Sequence, residues 1–335
     1  MTRKSTLSVF TTTVLLICLS LVMTSWGGGG SGESVASASP ASPLDTWHGR
    51  YHLPQGYTLR GVTYGSGIFV TVGDFGTLLT SPDGGMWTSR KSGTTHFLNG
   101  VTYGNGIFVA VGASGTVLTS PDGTTWTSRK SGTTDFLSGL AYGNGIFVAV
   151  GVHRIPVGTS SIILTSPDGE TWTSRKSGTT GSLVSATYGH DTFVAVGNFE
   201  FSSIILTSPD GGTWTSRNSG TTGSLVSVTY GNGVFVAVGN SIVFSPILTS
   251  PDGEMWTSGG SGTADSLNGV TYGNGVFVAV GNSIVSSPIL TSLDGVTWTS
   301  RNSGTTDFLN GVTYGGGTFV AVGNHGTIIQ SDPVR

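Results

Sequence analysis

The chain has 335 residues, of which 55 are glycine and only 9% are charged, with a formal net charge of −3; ordinary globular proteins carry about 25% charged residues. Lysine and arginine are spread one or two per repeat, so no basic footprint for nucleic acid is expected. Cys18 is the only cysteine, so a mature form cut after it has no thiol or disulfide and must be held together by packing alone.

The first segment has the form of an export signal: Arg3 and Lys4, then an uncharged run from Leu7 to Met23. Small residues at Ala36-Ser37-Ala38 offer a cleavage site, which predicts a signal peptide over 1–38, a Gly/Ser-rich tether over 27–44 and one repeat domain over 45–335. The run Met23-Thr24-Ser25-Trp26-Gly27-Gly28 resembles bacterial lipoprotein signals, with Trp26 where the lipidated cysteine would stand. A degenerate lipoprotein signal is therefore the alternative to a plain signal and linker. Either one places the rest outside the cytoplasm, in contact with a membrane only through an uncleaved signal.

Beyond the leader, one pattern recurs. Tyr-Gly followed by Phe-Val-Ala/Thr-Val-Gly marks seven units at Tyr64, Tyr103, Tyr142, Tyr188, Tyr230, Tyr272 and Tyr314, with intervals of 39, 39, 46, 42, 42 and 42 residues. Periods of this length indicate a propeller or solenoid. In the second unit, Leu98 to Tyr103 reads as a strand, Gly104-Asn105-Gly106 as a turn tolerant of positive φ, and Ile107 to Val111 as a strand buried on both faces. Thr116 to Ser120 and Trp126 to Lys130 complete four strands around the turn Pro121-Asp122-Gly123. The prediction is an all-β, seven-bladed β-propeller of four-stranded antiparallel blades.

The turn between third and fourth strands reads Ser81-Pro82-Asp83-Gly84-Gly85-Met86-Trp87, and recurs from Ser120, Ser166, Ser208, Ser250 and Ser292. It resembles the Asp-box of the BNR/sialidase-like repeat propellers, shortened by one residue. The repeated residues Asp83, Asp122, Asp168, Asp210, Asp252 and Asp294, with Trp87, Trp126, Trp172, Trp214, Trp256 and Trp298, are expected to be structural: a carboxylate that collects backbone N–H groups and an apolar plate between blades. No metal and no cofactor is expected.

The seventh unit stops at Ser331-Asp332-Pro333 without a Trp. The missing element is recovered at the other end: Trp47 precedes Tyr64 by 17 residues, against 16 for each later Trp–Tyr pair. An N-terminal strand should complete the last blade and close the ring, removing its open edges.

Exceptions to the repeat mark candidate sites. The loops between second and third strands lengthen in units three to six, which nominates His153, Arg154, Phe199, Glu200, Phe201, Ile242, Phe244 and Ile284 as a binding rim. The same insertions also fit longer hairpins that pack on themselves. His153-Arg154-Ile155-Pro156 is similar to the Phe/Tyr-Arg-Ile-Pro motif of sialidases, but it follows two Asp-box turns and lacks the family's further arginines and its Tyr–Glu pair. Catalytic residues are assigned to none, although Asp74, Asp191 and Glu200 are unrepeated acids that a channel could bring together. The expected function is an extracytoplasmic, non-catalytic binding or scaffold propeller with a protein or glycan partner. The alternatives are an exported sialidase-like glycoside hydrolase and a propeller resembling the photosystem II assembly-factor family, which also has seven blades with Asp-box-like turns.

Overall fold

Each unit folds as a four-stranded antiparallel sheet because its second strand is apolar on both faces and can be covered only by neighbouring sheets. The computed structural model describes residues 42–51, 56–154, 158–200, 202–240, 246–263, 265–283 and 287–334. It contains seven such sheets, the blades of a seven-bladed β-propeller. Blade 2 is representative, with strands Leu98–Gly104, Ile107–Gly112, Thr116–Ser120 and Thr127–Lys130 from the channel outwards. The second strands bury Phe69, Phe108, Phe147, Phe193, Phe235, Phe277 and Phe319 completely, each worth about 1.5–3 kcal/mol in apolar transfer.

The core is a ring of inter-blade layers with no common centre. Val70 and Val72 of blade 1 pack with Leu98, Phe108, Ala110 and Leu118 of blade 2, and the same arrangement recurs around the ring. Each repeat tyrosine lies against the phenylalanine opposite it, Tyr103 to Phe108 at 4.7 Å between ring centres. The tyrosine ring also covers the glycine after the tyrosine of the preceding blade. A Cβ on Gly104 would lie 2.1 Å from Cγ of Tyr142, so only glycine fits there.

Because the strands alternate in direction, the turns after first and third strands share one face of the ring (the turn face). The second-to-third loops and the blade-to-blade connections share the other (the loop face). On the turn face the Ser-x-Asp-Gly-x-x-Trp turns are hydrogen-bonded alike. Asp122 Oδ1 accepts from the backbone N–H of Thr124 at 2.8 Å and of Thr125 at 2.9 Å, and from the Ser120 hydroxyl at 3.0 Å. The Trp126 indole N–H donates to the Gly123 carbonyl at 2.8 Å. Gly123, at φ 73°, presses against Ile68 of blade 1. The turn thus locks each blade onto the one before it, while the carboxylate itself stays at the surface.

Blade 7 is ordered Leu309–Gly315, Thr318–Gly323, Ile328–Ser331, with Trp47–Tyr51 as its outermost strand. Trp47 pairs with Ser331, and its indole N–H donates to the Leu44 carbonyl three residues back at 3.1 Å, as the tryptophans of the six turns do to their glycines. The N-terminal strand therefore closes the ring as the Trp spacing predicts.

Candidate functional site

All seven first strands carry a bulge just after their leading leucine or its equivalent, at Arg60, Asn99, Ser138, Val184, Val226, Asn268 and Asn310. A bulge re-aims a side chain out of the ladder, and these residues line a central channel of about 250 Å³. The asparagines join consecutive blades: Asn99 donates to the Leu137 carbonyl at 2.8 Å, Asn268 to Leu309 at 2.9 Å and Asn310 to Leu59 at 2.9 Å. Arg60 breaks the pattern as the one charged residue of the channel lining among the described residues. Its Nε donates to Asp74 at 2.5 Å, and its guanidinium carbon lies 5.3 Å from the centre of the Phe97 ring.

Around Arg60 the loop face is aromatic. Phe75, at the tip of the tight turn Asp74–Gly76 with φ 53°, is 56% exposed. It lies 4.9 Å from Tyr57 and 5.5 Å, edge to face, from Phe97. Phe97, Phe136 and Phe308 occupy one repeat position, before the buried leucine of blades 2, 3 and 7, and are 36%, 36% and 42% exposed. Blades 4 to 6 have Ser182, Ser224 and Ser266 there. The aromatic arc thus spans blades 7, 1, 2 and 3, whereas loop length alone points to units three to six. Sequence reading missed it because Phe75 and Phe97 sit in short, regular loops; the signal available was the substitution pattern at one repeat position.

The insertion in blade 3 extends its hairpin, with Val152, His153 and Arg154 pairing with Ser161, Ser160 and Thr159. Blade 4 likewise pairs Asn198 with Ser203 and Phe199 with Ser202. Both insertions are therefore hairpin extensions that still present side chains: Phe199 and Glu200 are exposed at the blade 4 tip. His153 Nδ1 lies 2.5 Å from Asp135 at one edge of a cleft of about 770 Å³ that also holds His96, Arg129 and Lys130. Phe201, Ile242, Phe244 and Ile284 lie outside the described residues, as does the side chain of Arg154.

The unrepeated acids do not converge. Asp74 is bound to Arg60 on the loop face, Asp191 is in a turn on the opposite face 3.4 Å from the Tyr188 hydroxyl, and Glu200 caps the blade 4 hairpin. Burial and the Asp191 charge push the Tyr188 phenol up. Backbone N–H donors hold the turn carboxyls low, Thr297 and then Val296 bringing Asp294 down to about 2. For Asp122 the Thr124 hydroxyl is the leading cause, ahead of the backbone donors. Among the described residues no three His, Cys, Asp or Glu side chains are grouped to hold a metal ion.

A symmetric scaffold of inter-blade layers with one asymmetric, aromatic channel mouth that carries the Arg60–Asp74 ion pair is the arrangement of a seven-bladed β-propeller with a single differentiated face. Neither a protein-family model nor a curated protein sequence matches the chain. Solved structures do match in fold. YCF48 from Cyanidioschyzon merolae is 16% identical, with a TM-score of 0.64 covering 85% of this chain and 98% of that one. YCF48 bound to D1 peptide is 19% identical, with a TM-score of 0.67 and coverage of 89% and 97%. Virginiamycin B lyase from Staphylococcus aureus is 12% identical, with a TM-score of 0.74 and coverage of 86% and 99%. At these identities the likeness establishes the fold and nothing finer.

Proposed function

We propose that this chain is a non-catalytic, extracytoplasmic binding propeller that holds a segment of a protein partner across the mouth of its channel. The observation that carries the reading is the Tyr57–Phe75–Phe97 stack beside Arg60, an unrepeated cluster on a seven-fold scaffold. The fold does not need it, since the other blades close without it. Exposed aromatic side chains and arginine are the groups that dominate protein interfaces. The extended hairpins of blades 3 and 4, with His153, Phe199 and Glu200, enlarge the same face.

Three further points support this reading. The leader has the pattern of an export signal, the carboxylates of the six turns are occupied by backbone N–H groups of the turns themselves, and one structural neighbour, YCF48, is solved bound to a D1 peptide. The last point favours a peptide partner and keeps the photosystem assembly-factor-like alternative in play. Against a sialidase-like hydrolase stands the separation of Asp74, Asp191 and Glu200, because a glycosidase pair needs carboxyls roughly 5–9.5 Å apart across one bond.

The test is selection of displayed random peptides on the full chain. The expected result is an enriched consensus whose affinity falls at least tenfold in Phe75→Ser and Phe97→Ser, with melting nearly unchanged, because exposed substitutions cost little stability. Failure to enrich any consensus, or binding indifferent to both substitutions, overturns the proposal. So does hydrolysis of a glycoside panel by the wild type.

A further inference from the structure

Lysine occurs four times in the chain, and the three beyond the leader, Lys91, Lys130 and Lys176, occupy one repeat position in three consecutive blades. That position is the loop-face end of the outermost strand, as the pairing of Lys130 with Thr116 shows. All three side chains are exposed. The equivalent residues of blades 4, 5 and 6 are Asn218, Gly260 and Asn302. The arginines beside the lysines are tied down: Arg90, Arg129 and Arg175 each donate from Nε to a threonine hydroxyl of the neighbouring strand at 2.9 Å. The lysines form no ion pair among the described residues.

The charge around the ring is correspondingly lopsided. Residues 56–180 hold eight lysines and arginines against six acids, a net +2, whereas residues 181–335 hold three against nine, a net −6. The six acids of the first half leave the lysines uncompensated. Asp83, Asp122 and Asp168 are in turns on the opposite face, and Asp74, Asp135 and Glu170 are paired with Arg60, His153 and Arg129.

Each lysine also borders an open cleft. Lys91 shares one of about 620 Å³ with Phe75, Ser92 and Thr94; Lys130 one of about 770 Å³ with His96 and Thr133; Lys176 one of about 600 Å³ with Ser177 and Thr179. The walls are the repeated Ser-Gly-Thr-Thr segments 92–95, 131–134 and 177–180. The serine hydroxyls are buried and donate to the carbonyls of Thr94, Thr133 and Thr179, so the clefts present threonine side chains and glycine backbone, polar and apolar surface together, which matches the mixed faces of a sugar ring.

We propose that the arc of Lys91, Lys130 and Lys176 binds a linear anionic polysaccharide, with a carboxylate or sulfate at each lysine and the intervening sugars in the clefts. The spacing of the cations argues for this class of polyanion. Face-to-face sheets sit about 10 Å apart and splay outwards in a ring, so the lysines are at least that far apart, comparable with a disaccharide repeat. Duplex nucleic acid presents a charge every ~1.7 Å and would leave most of its phosphates unmatched. An anionic bilayer surface would attract the lysines but would leave the clefts unused. The arc borders the proposed peptide site at Phe75, but the proposal rests on the three lysines and stands without the peptide reading.

The test measures binding of the full chain to alginate, chondroitin sulfate, neutral dextran, duplex DNA and vesicles containing phosphatidylglycerol, at several salt concentrations. The expected result is salt-sensitive binding to alginate or chondroitin sulfate, the preferred one identifying the anion as carboxylate or sulfate, and none to dextran. The triple variant Lys91→Gln, Lys130→Gln, Lys176→Gln should lose at least tenfold in affinity with unchanged melting, and Asn218→Lys, which extends the arc to blade 4, should gain affinity. Equal binding by the triple variant overturns the proposal. So does the absence of binding to either anionic polysaccharide, or tighter binding to DNA or vesicles than to both.

Discussion

Replacing Trp47 by alanine should open the ring at its closure, and the structure sets the size of the effect. The side chain is 7% exposed and lies in the layer between blades 6 and 7, with Val278, Val280 and Ile289 on one side and Leu309, Phe319 and Ile329 on the other. A buried aromatic of this kind removes about 150–250 Å² from water; at ~25 cal/mol per Å² that is about 4–6 kcal/mol, and large-to-small changes of Trp or Phe in cores cost about 3–5 kcal/mol. The indole hydrogen bond to Leu44 adds about 1 kcal/mol, while fraying of a five-residue terminal strand returns part of the total. A loss of about 3–5 kcal/mol in a domain this large lowers Tm by about 6–20 °C, at roughly 2–4 °C per kcal/mol. Calorimetry and near-ultraviolet circular dichroism would measure it beside Trp47→Phe, which keeps a smaller aromatic plate, loses the N–H and should melt between wild type and Trp47→Ala. The closure argument fails if Trp47→Ala melts within a degree of wild type while Trp87→Ala, its counterpart in blade 1, melts well below.

Other outcomes follow from the same geometry. The lowered carboxyls of the turns stabilise the fold above about pH 4, the unfolded carboxyl range, and lose that contribution as pH falls towards the folded value, about 2 for Asp294. Tm should therefore drop between about pH 4 and 2, less steeply in Asp294→Asn, and a chelator should leave it unchanged at neutral pH because the carboxylate is satisfied by N–H groups. The turn aspartates are mostly exposed, so Asp122→Ala is expected to cost only about 0.5–1.5 kcal/mol in urea melts. Gly104→Ala drives a Cβ to 2.1 Å from Tyr142 and should cost at least about 1–3 kcal/mol. The cost should shrink when Tyr142→Leu is also present, and additive costs in that double-mutant cycle would refute the contact as its source.

Much of this molecule is local and repeated, and that is why so much of it was legible in sequence. The Tyr-Gly and Phe-Val-Ala-Val-Gly runs specify paired strands, the Ser-x-Asp-Gly-x-x-Trp turns specify where third and fourth strands meet, and the Trp47 spacing specifies the closure, because each acts within one blade or between adjacent ones. The site is different in kind. Arg60, Asp74, Phe75 and Phe97 come from blades 1 and 2 and belong to separate repeat positions, so nothing in their spacing announces that a guanidinium will lie on one ring and against one carboxylate. Loop length directed attention to blades 3 to 6, where the insertions of blades 3 and 4 lengthened hairpins. Sequence by itself determined the number of blades, their strand order and the means of closing the ring, because those rest on periodicity and on residues a few positions apart. Only the tertiary structure decided where the face is differentiated, because curvature into a ring converts seven equivalent positions into one shared channel mouth, and a single departure there acquires neighbours from blades that the chain order keeps apart.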